Sequence, residues 1–435
     1  MAFVMTNCPE CGYLFGVDTE IEVDIVHCPE CEARLRLLGR HPLILQYEED
    51  TSKFVFKTVV RDVRIIDTTL REGEQFSNAA FSTTERLKIV ELLEAFGVDA
   101  IEVTTPISSE RNFEDAKKIC ALGTKAKILA HTRCAKPDIS RAVEAGVQGI
   151  NVLFGASKYL QQYSHGKSIE EVKDIALEII DWTRTQYPKL EVRFSAEDAF
   201  RSDINDLLVL YRALKNMVDR IGIPDTTGIA TPMQVYRLTK FLSDKFKLPM
   251  EFHGHNDTGC AIANALSFLE GGGTYVNTTM LGIGERNGIT SISGLISRVL
   301  PFLPSVAQKY DLTLLRVLDQ TIADILGIDI PFTQPLTSKT AFTHKAGMHT
   351  KAVLQNPESY EIFDPNIFGM QRKIQYASSI TGKHAVAQRL KDLGYADFSE
   401  KQVMEITKEM KNLSSDNKFS DEDFDRELKR LAEKV

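Results

Sequence analysis

The sequence predicts an α/β protein: a (β/α)8 barrel with a small metal-dependent module before it and a helical region after it. Three observations carry that prediction. Eight short β-like runs alternate with helical patterns over roughly 240 residues from Val63 onward, the length a closed barrel of this kind occupies. The loop after the first run, "TTLREGEQ", has a single glycine, where a doubly wound dinucleotide fold carries a glycine-rich turn. Near the N-terminus the pair "CPECG" and "CPECE" repeats one knuckle.

That repeat defines the first module, residues 1–47. Cys8, Cys11, Cys28 and Cys31 have the spacing of a zinc ribbon, in which two knuckles give four thiolates to one tetrahedral structural zinc. So short a segment buries little apolar surface, so the ion supplies most of its folding free energy. Two disulfides are the alternative, disfavoured in a reducing compartment, and a redox pair is disfavoured because no βαβ pattern surrounds it. "QYEEDTSKFVFKTV", residues 46–59, marks the boundary.

The barrel is placed at 60–305. Its strands are "VRIID", "AIEVTT", "KILAHT", "GINVLF", "EVRFSAE", "RIGIPD", "MEFHGH" and "YVNTTML". Capping boxes at Ser82/Glu85 and Ser168/Glu171, a stop at Gly97 and a Thr231-Pro232 start punctuate the helices between them. Beyond, 306–435 reads as amphipathic helices interrupted by a polar, proline-containing stretch at 329–380 that lacks a regular pattern. Its "FTHKAGMHTKA" carries too many specific polar groups for a linker, so the stretch is expected to be an active-site lid.

The 435 residues carry a net charge of −8, which argues against a polyanion-binding role, so no nucleic-acid partner is expected. No apolar run reaches membrane-spanning length and "MAFVMTNCPE" lacks the parts of a signal peptide, so a cytoplasmic protein without a membrane partner is expected. The remaining cysteines, Cys120, Cys134 and Cys260, read as free thiols.

In a barrel enzyme the C-terminal strand ends gather the chemistry. The first strand delivers Asp67, Arg71, Glu72 and Gln75, the third His131 and the sixth Thr226. On the fifth, Arg193, Ser195 and Glu197 share one face by the two-residue period, and on the seventh so do His253 and His255. The two histidines are either hydrogen-bonded strand-end residues or metal ligands. With Glu72 as a third donor they make a 2-His-1-carboxylate site with open positions for substrate. Arg193 and Glu197 have an internal salt bridge as their alternative reading.

"DTTLREGEQ", "RFSAEDAFR", "DTTGIATP", "FHGHNDTGCAIANA", "GIGERNG" and "FTHKAGMHTKAVLQNPESYE" together resemble the 2-isopropylmalate synthase and homocitrate synthase superfamily, over about residues 62–390 and in the right order. Glu at position 72 and "HNDTGCAIANA" resemble its homocitrate branch. The resemblance implies that Glu72, His253 and His255 hold a catalytic divalent metal of the zinc, manganese, magnesium or cobalt class. It further implies that Arg71 donates to the keto oxygen of 2-oxoglutarate and that Arg193, Ser195 and His131, with Thr226 and Gln75, bind the acid. Glu197, His349 and Tyr360 are implied to serve the methyl group of acetyl-CoA, the second substrate, with His349 arriving from the partner of a domain-swapped homodimer. Glu251 is implied as a contact for the ammonium of an inhibitory lysine. Asp67 is expected to orient Arg71 or a metal-bound water, Asn256 and Asp257 to cap the next helix, and His344 to be structural. The ribbon resembles the small amino-group carrier protein of lysine biosynthesis but lacks its acidic Trp-containing tail, so a docking or regulatory role is expected. The rival readings are a sister synthase acting on another 2-oxo acid and a ribbon-led binding protein whose barrel is only a scaffold.

Overall fold

The computed structural model describes residues 3–18, 25–40, 43–47, 58–377, 379–395, 397–414 and 419–434. Most of the expected boundary segment, 48–57, lies outside the described residues. Two compact units result, Met1–Thr58 and Val59–Val435.

The first unit is two small antiparallel sheets. β1 (Phe3–Asn7) pairs β2 (Leu14–Asp18), and β3 (Ile25–His27), β4 (Arg34–Arg40) and β5 (Leu43–Tyr47) form the other. Each knuckle makes the same turn. Gly12 N–H donates to Cys8 C=O and Glu32 N–H to Cys28 C=O, both at 2.9 Å, and Gly12 and Glu32 both take the left-handed conformation. Among the described residues its core is Cys8, Phe15, Val17, Cys28 and Leu35 with a few half-buried neighbours.

In the second unit, β6 (Arg64–Asp67), β7 (Ala100–Val103), β8 (Lys127–Arg133), β9 (Gly149–Gly155), β10 (Glu191–Glu197), β11 (Arg220–Asp225), β12 (Met250–Gly254) and β13 (Tyr275–Thr278) pair in parallel, each with the next, and β13 closes on β6. The eight runs predicted from sequence are these strands, trimmed by one to three residues at four ends and extended by one residue at the ends of β8 and β9. Both predicted capping boxes form, and Gly97 ends its helix at φ 95°. The main core lies between strands and helices, where Ile101, Val152, Val192 and Phe252 meet Ile89, Leu93, Ile180 and Phe268. Along each strand the alternate residues face the barrel axis. At the lower end of that axis Ile66, Ala100 and Leu129 cluster with Tyr275, and above them the filling is charged.

After the barrel, the helix Leu315–Leu326 packs back into the barrel core through Leu315, Leu318 and Ile322. Helices Lys383–Asp392, Glu400–Leu413 and Asp421–Ala432 build a separate core from Val386, Leu390, Ile406, Met410, Phe424 and Leu428. The stretch 329–380 departs from its irregular expectation. It holds a helix at Gly347–Gln355 and a two-residue parallel ladder, Thr343–His344 with Lys373–Ile374. Short pieces with one or two buried side chains each leave no periodic signal; Thr350 and Val353 are the helix's buried residues.

Candidate active site

Strand ends β6, β8, β9, β10, β11 and β12 with the loop after β13 enclose a cavity of about 160 Å³. Arg71, Glu72, Gln75, His131, Arg193, Ser195, Glu197, Thr226, His253 and His255 all line it, joined by Asn151, Leu153, Pro224, Glu285 and Arg286.

Glu72 sits in the turn after β6, where its backbone N–H and that of Arg71 both donate to Thr68 C=O. His253 and His255 leave the end of β12 on one side, their Nε2 atoms 3.3 Å apart. Glu72 Oε2 lies 3.6 Å from His253 Nε2 and Oε1 lies 4.0 Å from His255 Nε2. Two imidazole nitrogens thus converge on one carboxylate, each residue offering an atom within 4.8 Å of the others. Burial and then the nearby Arg71 push the His253 imidazole well below its usual range, and burial lowers His255 too, both in the direction of a neutral ring with a lone pair to offer. Burial alone would raise the Glu72 carboxyl, but the Arg71 guanidinium leads the groups that hold it at about 2. Neutral nitrogens and an anionic oxygen facing one small volume fit a divalent transition metal or magnesium. His253 Nδ1 is held by Asn277 Oδ1 at 3.1 Å, which orients the ring.

Arg71 is placed by two carboxylates. Its Nε donates to Glu102 Oε1 at 2.8 Å and its Nη1 to Glu72 Oε2 at 2.6 Å. Glu102, fully buried on β7, also lies 3.2 Å from His131 Nδ1 and 3.6 Å from Arg193 Nη2. Sequence reasoning missed it. Its signal was a carboxylate in the apolar run "AIEVTT", since a Glu there faces the barrel axis and must find cations. Asp67 was expected in this position instead. It accepts Thr69 N–H at 2.9 Å and makes no contact with Arg71, because on a strand it points to the opposite side from the axis-facing Ile66.

Arg193 does form an internal salt bridge, but with Glu251 and Glu102 and not with the Glu197 of its alternative reading. It is buried, and burial lowers its guanidinium to about 9. It also lines the cavity. Two residues before His253 on β12, Glu251 lies one layer deeper than the mouth, 1% exposed and engaged by Arg193 and by Asn277 Nδ2 at 2.8 Å. Glu197 stands at the end of β10 with its carboxyl raised by burial and by Asp198.

His349 and Tyr360 stack with ring centroids 4.2 Å apart. Both are exposed, Tyr360 by 50%, and neither lines this cavity. His344 Nε2 donates to Glu361 Oε1 at 2.8 Å, beside Arg372 Nε and Nη2 on the same carboxylate, the structural role expected of it. Asn256 Oδ1 accepts the N–H of Ala261 at the next helix as expected, but Asp257 pairs instead with Arg286 at 2.7 Å.

In the first unit the four thiol sulfurs cluster within 4.8 Å, with Cys8 to Cys31 at 3.8 Å and Cys11 to Cys28 at 3.7 Å, and no disulfide forms. A tetrahedron with metal–sulfur bonds of about 2.3 Å has edges of about 3.8 Å.

Comparison with known proteins gives this geometry its relatives. Residues 62–322 match the HMGL-like family and residues 336–418 match the homocitrate synthase post-HMGL domain-like family. The cytosolic homocitrate synthase isozyme of Saccharomyces cerevisiae is 45% identical over 86% of this chain and 88% of its own length. The mitochondrial homocitrate synthase of Schizosaccharomyces pombe is 45% identical over 86% and 89%. Among solved structures an HMG-CoA lyase of Bacillus subtilis superposes with a TM-score of 0.55 at 19% identity, over 65% of this chain and 98% of that one, a likeness of fold. With two family models in tandem and fungal relatives matched nearly end to end, the chain belongs to the HMGL-like family and, within it, to the homocitrate synthases.

Proposed function

We propose that the protein condenses acetyl-CoA with 2-oxoglutarate to homocitrate and CoA, the first step of the 2-aminoadipate route to lysine. The observation that supports this reading is the cavity itself, whose lining gathers the Glu72, His253 and His255 cluster and Arg71 together with His131, Arg193 and Ser195. A five-carbon acid with an anionic group at each end needs both. A sister synthase acting on an apolar 2-oxo acid would leave Arg193 and His131 without a substrate partner.

Glu72, His253 and His255 would hold a divalent metal, which supplies a Lewis acid for the ketone. Arg71, fixed by Glu102, aims its donors at the keto oxygen and stabilises the charge that grows there as the new carbon–carbon bond forms. Arg193, Ser195 and His131 receive the distal carboxylate, with Thr226 and Gln75 completing the contact. The planar guanidinium suits a carboxylate bidentately. His349, seated by Tyr360 and working with Glu197, takes a proton from the acetyl methyl, and the resulting carbanion attacks the keto carbon. The alkoxide is protonated and water then cleaves the thioester, releasing CoA.

Because His349 and Tyr360 stand exposed outside their own chain's cavity, we assign them to the site of a partner chain in a homodimer. The four clustered thiols are assigned to a structural zinc, and the ribbon, which contributes no condensation group, to docking or regulation. A panel of 2-oxo acids assayed for acetyl-CoA-dependent CoA release tests the main reading. 2-Oxoglutarate should give the highest kcat/KM, and preference for pyruvate or 2-oxoisovalerate would overturn it.

A further inference from the structure

Arg286 lines the cavity and no step above uses it. It lies in the loop after β13, and that loop is constrained at every turn. Leu281 and Arg286 both take the left-handed conformation, at φ 59° and 56°, which L side chains adopt only where surroundings over-determine it. The buried Asp319 carboxylate fixes the first by accepting Leu281 N–H at 2.7 Å. Further along, Glu285 N–H donates to Glu72 Oε1 at 2.9 Å, and a side chain at Gly284 would meet that same oxygen at 2.9 Å. The backbone therefore rests directly on the carboxylate ligand. The loop then runs beside the histidines, with Asn256 N–H donating to Gly288 C=O at 2.9 Å and His255 bridged to Ile289.

Arg286 ties these contacts together. Its Nε and Nη2 grip Asp257 at 2.7 and 3.0 Å, two residues past His255, and Nη2 also donates to Thr226 C=O at 2.8 Å. One guanidinium so links the loops after β11, β12 and β13, and the last of these supplies the N–H that holds Glu72.

We propose that Arg286 is a positioning residue that latches the loop after β13 across the metal triad, so that it governs how long a bound divalent ion is retained without ligating it. The proposal rests on the metal reading of Glu72, His253 and His255. Release requires the three ligands to separate, and Glu72 cannot swing while the 285 amide holds it and the latch holds the loop. Arg serves where Lys would not, since an ammonium cannot span both Asp257 oxygens and the Thr226 carbonyl.

The test is Mn²⁺ release from the full-length protein into excess chromophoric chelator, followed by stopped flow. Manganese reports the nitrogen–oxygen triad and not the four thiolates, which favour softer ions. Arg286→Ala should release Mn²⁺ about 10- to 100-fold faster, the usual effect of losing an outer partner. Asp257→Asn, which keeps the side chain's size and guards against a misfolded Ala variant, should do the same, and Arg286→Lys should not restore retention. The double variant should be no faster than either single, because both break one contact. Unchanged release in folded Arg286→Ala and Asp257→Asn, or multiplicative effects in the double, would overturn the latch. Glu72→Gln separates the two readings. If that variant binds Mn²⁺ like the parent, the metal assignment fails; if it loses Mn²⁺ while Arg286→Ala retains it, only the latch fails.

Discussion

Glu72 is the residue on which the site's electrostatics converge, touched by Arg71, by the 285 amide and by both histidines. Glu72→Gln should leave the fold intact and cut metal affinity by more than the roughly 100-fold that an outer partner commands. Metal content by elemental analysis and CoA release, measured on one sample, check it; native values of both would remove the triad. Arg193 answers differently because it has two employments. Arg193→Ala should raise KM for 2-oxoglutarate far more than KM for acetyl-CoA, through loss of a charge-assisted contact worth about 1.5–3 kcal/mol. It should also lower thermal stability, because buried Glu251 loses one of its two cations and keeps only Arg220 at 3.4 Å, a loss of at most the about 3–5 kcal/mol of a fully broken buried pair. A drop in Tm with both KM values unmoved would leave it only the structural employment. The ligand-type residues at this scale were legible because imidazoles and carboxylates at strand ends have few other reasons to be there. Glu102, Asn277 and Arg286 were not, since their value lies in partners 24 or more residues away that only the closed barrel brings near, as with Asn277 on His253.

At the level of elements, the strands announced themselves by apolar runs bounded by caps, and the capping boxes formed as read. The segment 329–380 did not, because its order is held by polar contacts. Glu361, with its side chain 5% exposed, accepts from Arg372 twice and pairs with His344, closing the base of the loop whose tip is the His349–Tyr360 stack. Burial opposes ionisation of Glu361, but Arg372 and His344 prevail and hold its carboxyl below the usual range. A carboxyl depressed in the folded state stabilises fully above its unfolded value of about 4.3 and progressively less as pH falls through the folded value. The ladder at 343–344 and 373–374 should therefore open on acidification below about pH 4 and stay closed at neutrality. Amide exchange corrected for its intrinsic pH dependence reads this out, and Glu361→Gln should loosen the same segment at neutral pH. Protection that is flat with pH and insensitive to the substitution would contradict the clamp.

For the whole molecule, the proposal that exposed His349 serves a partner's cavity would make function a property of paired chains. Mixing inactive Glu72→Ala and His349→Ala chains and allowing exchange should restore about a quarter of parental activity per total chain, since random pairing makes about half the molecules heterodimers, each with one intact composite site. Exchange is verified with mass-tagged subunits; exchange without recovery would place His349 in its own chain's site. Removing residues 1–46 should leave condensation intact at saturating substrate, because the ribbon has its own core and cysteine cluster and holds none of the named groups. A folded but inactive truncation would bring the ribbon into the chemistry. Among the described residues no helix is long and apolar enough to cross a membrane.

The charged filling of the barrel axis, Arg220 and Glu251 below Arg193 and Glu102, has a thermal consequence. Buried ions surrender hydration, and replacing such a group by apolar side chains of equal volume commonly stabilises a protein by about 1–4 kcal/mol at ambient temperature. That penalty shrinks on heating, because ion hydration becomes less favourable as temperature rises. A variant with an apolar axis should thus hold its largest stability advantage in the cold and lose much of it when hot, while binding no dicarboxylate at any temperature. Selection for heat resistance in this protein has little to gain at the centre of its barrel, and the helices and loops around it are where stabilising substitutions are expected to accumulate.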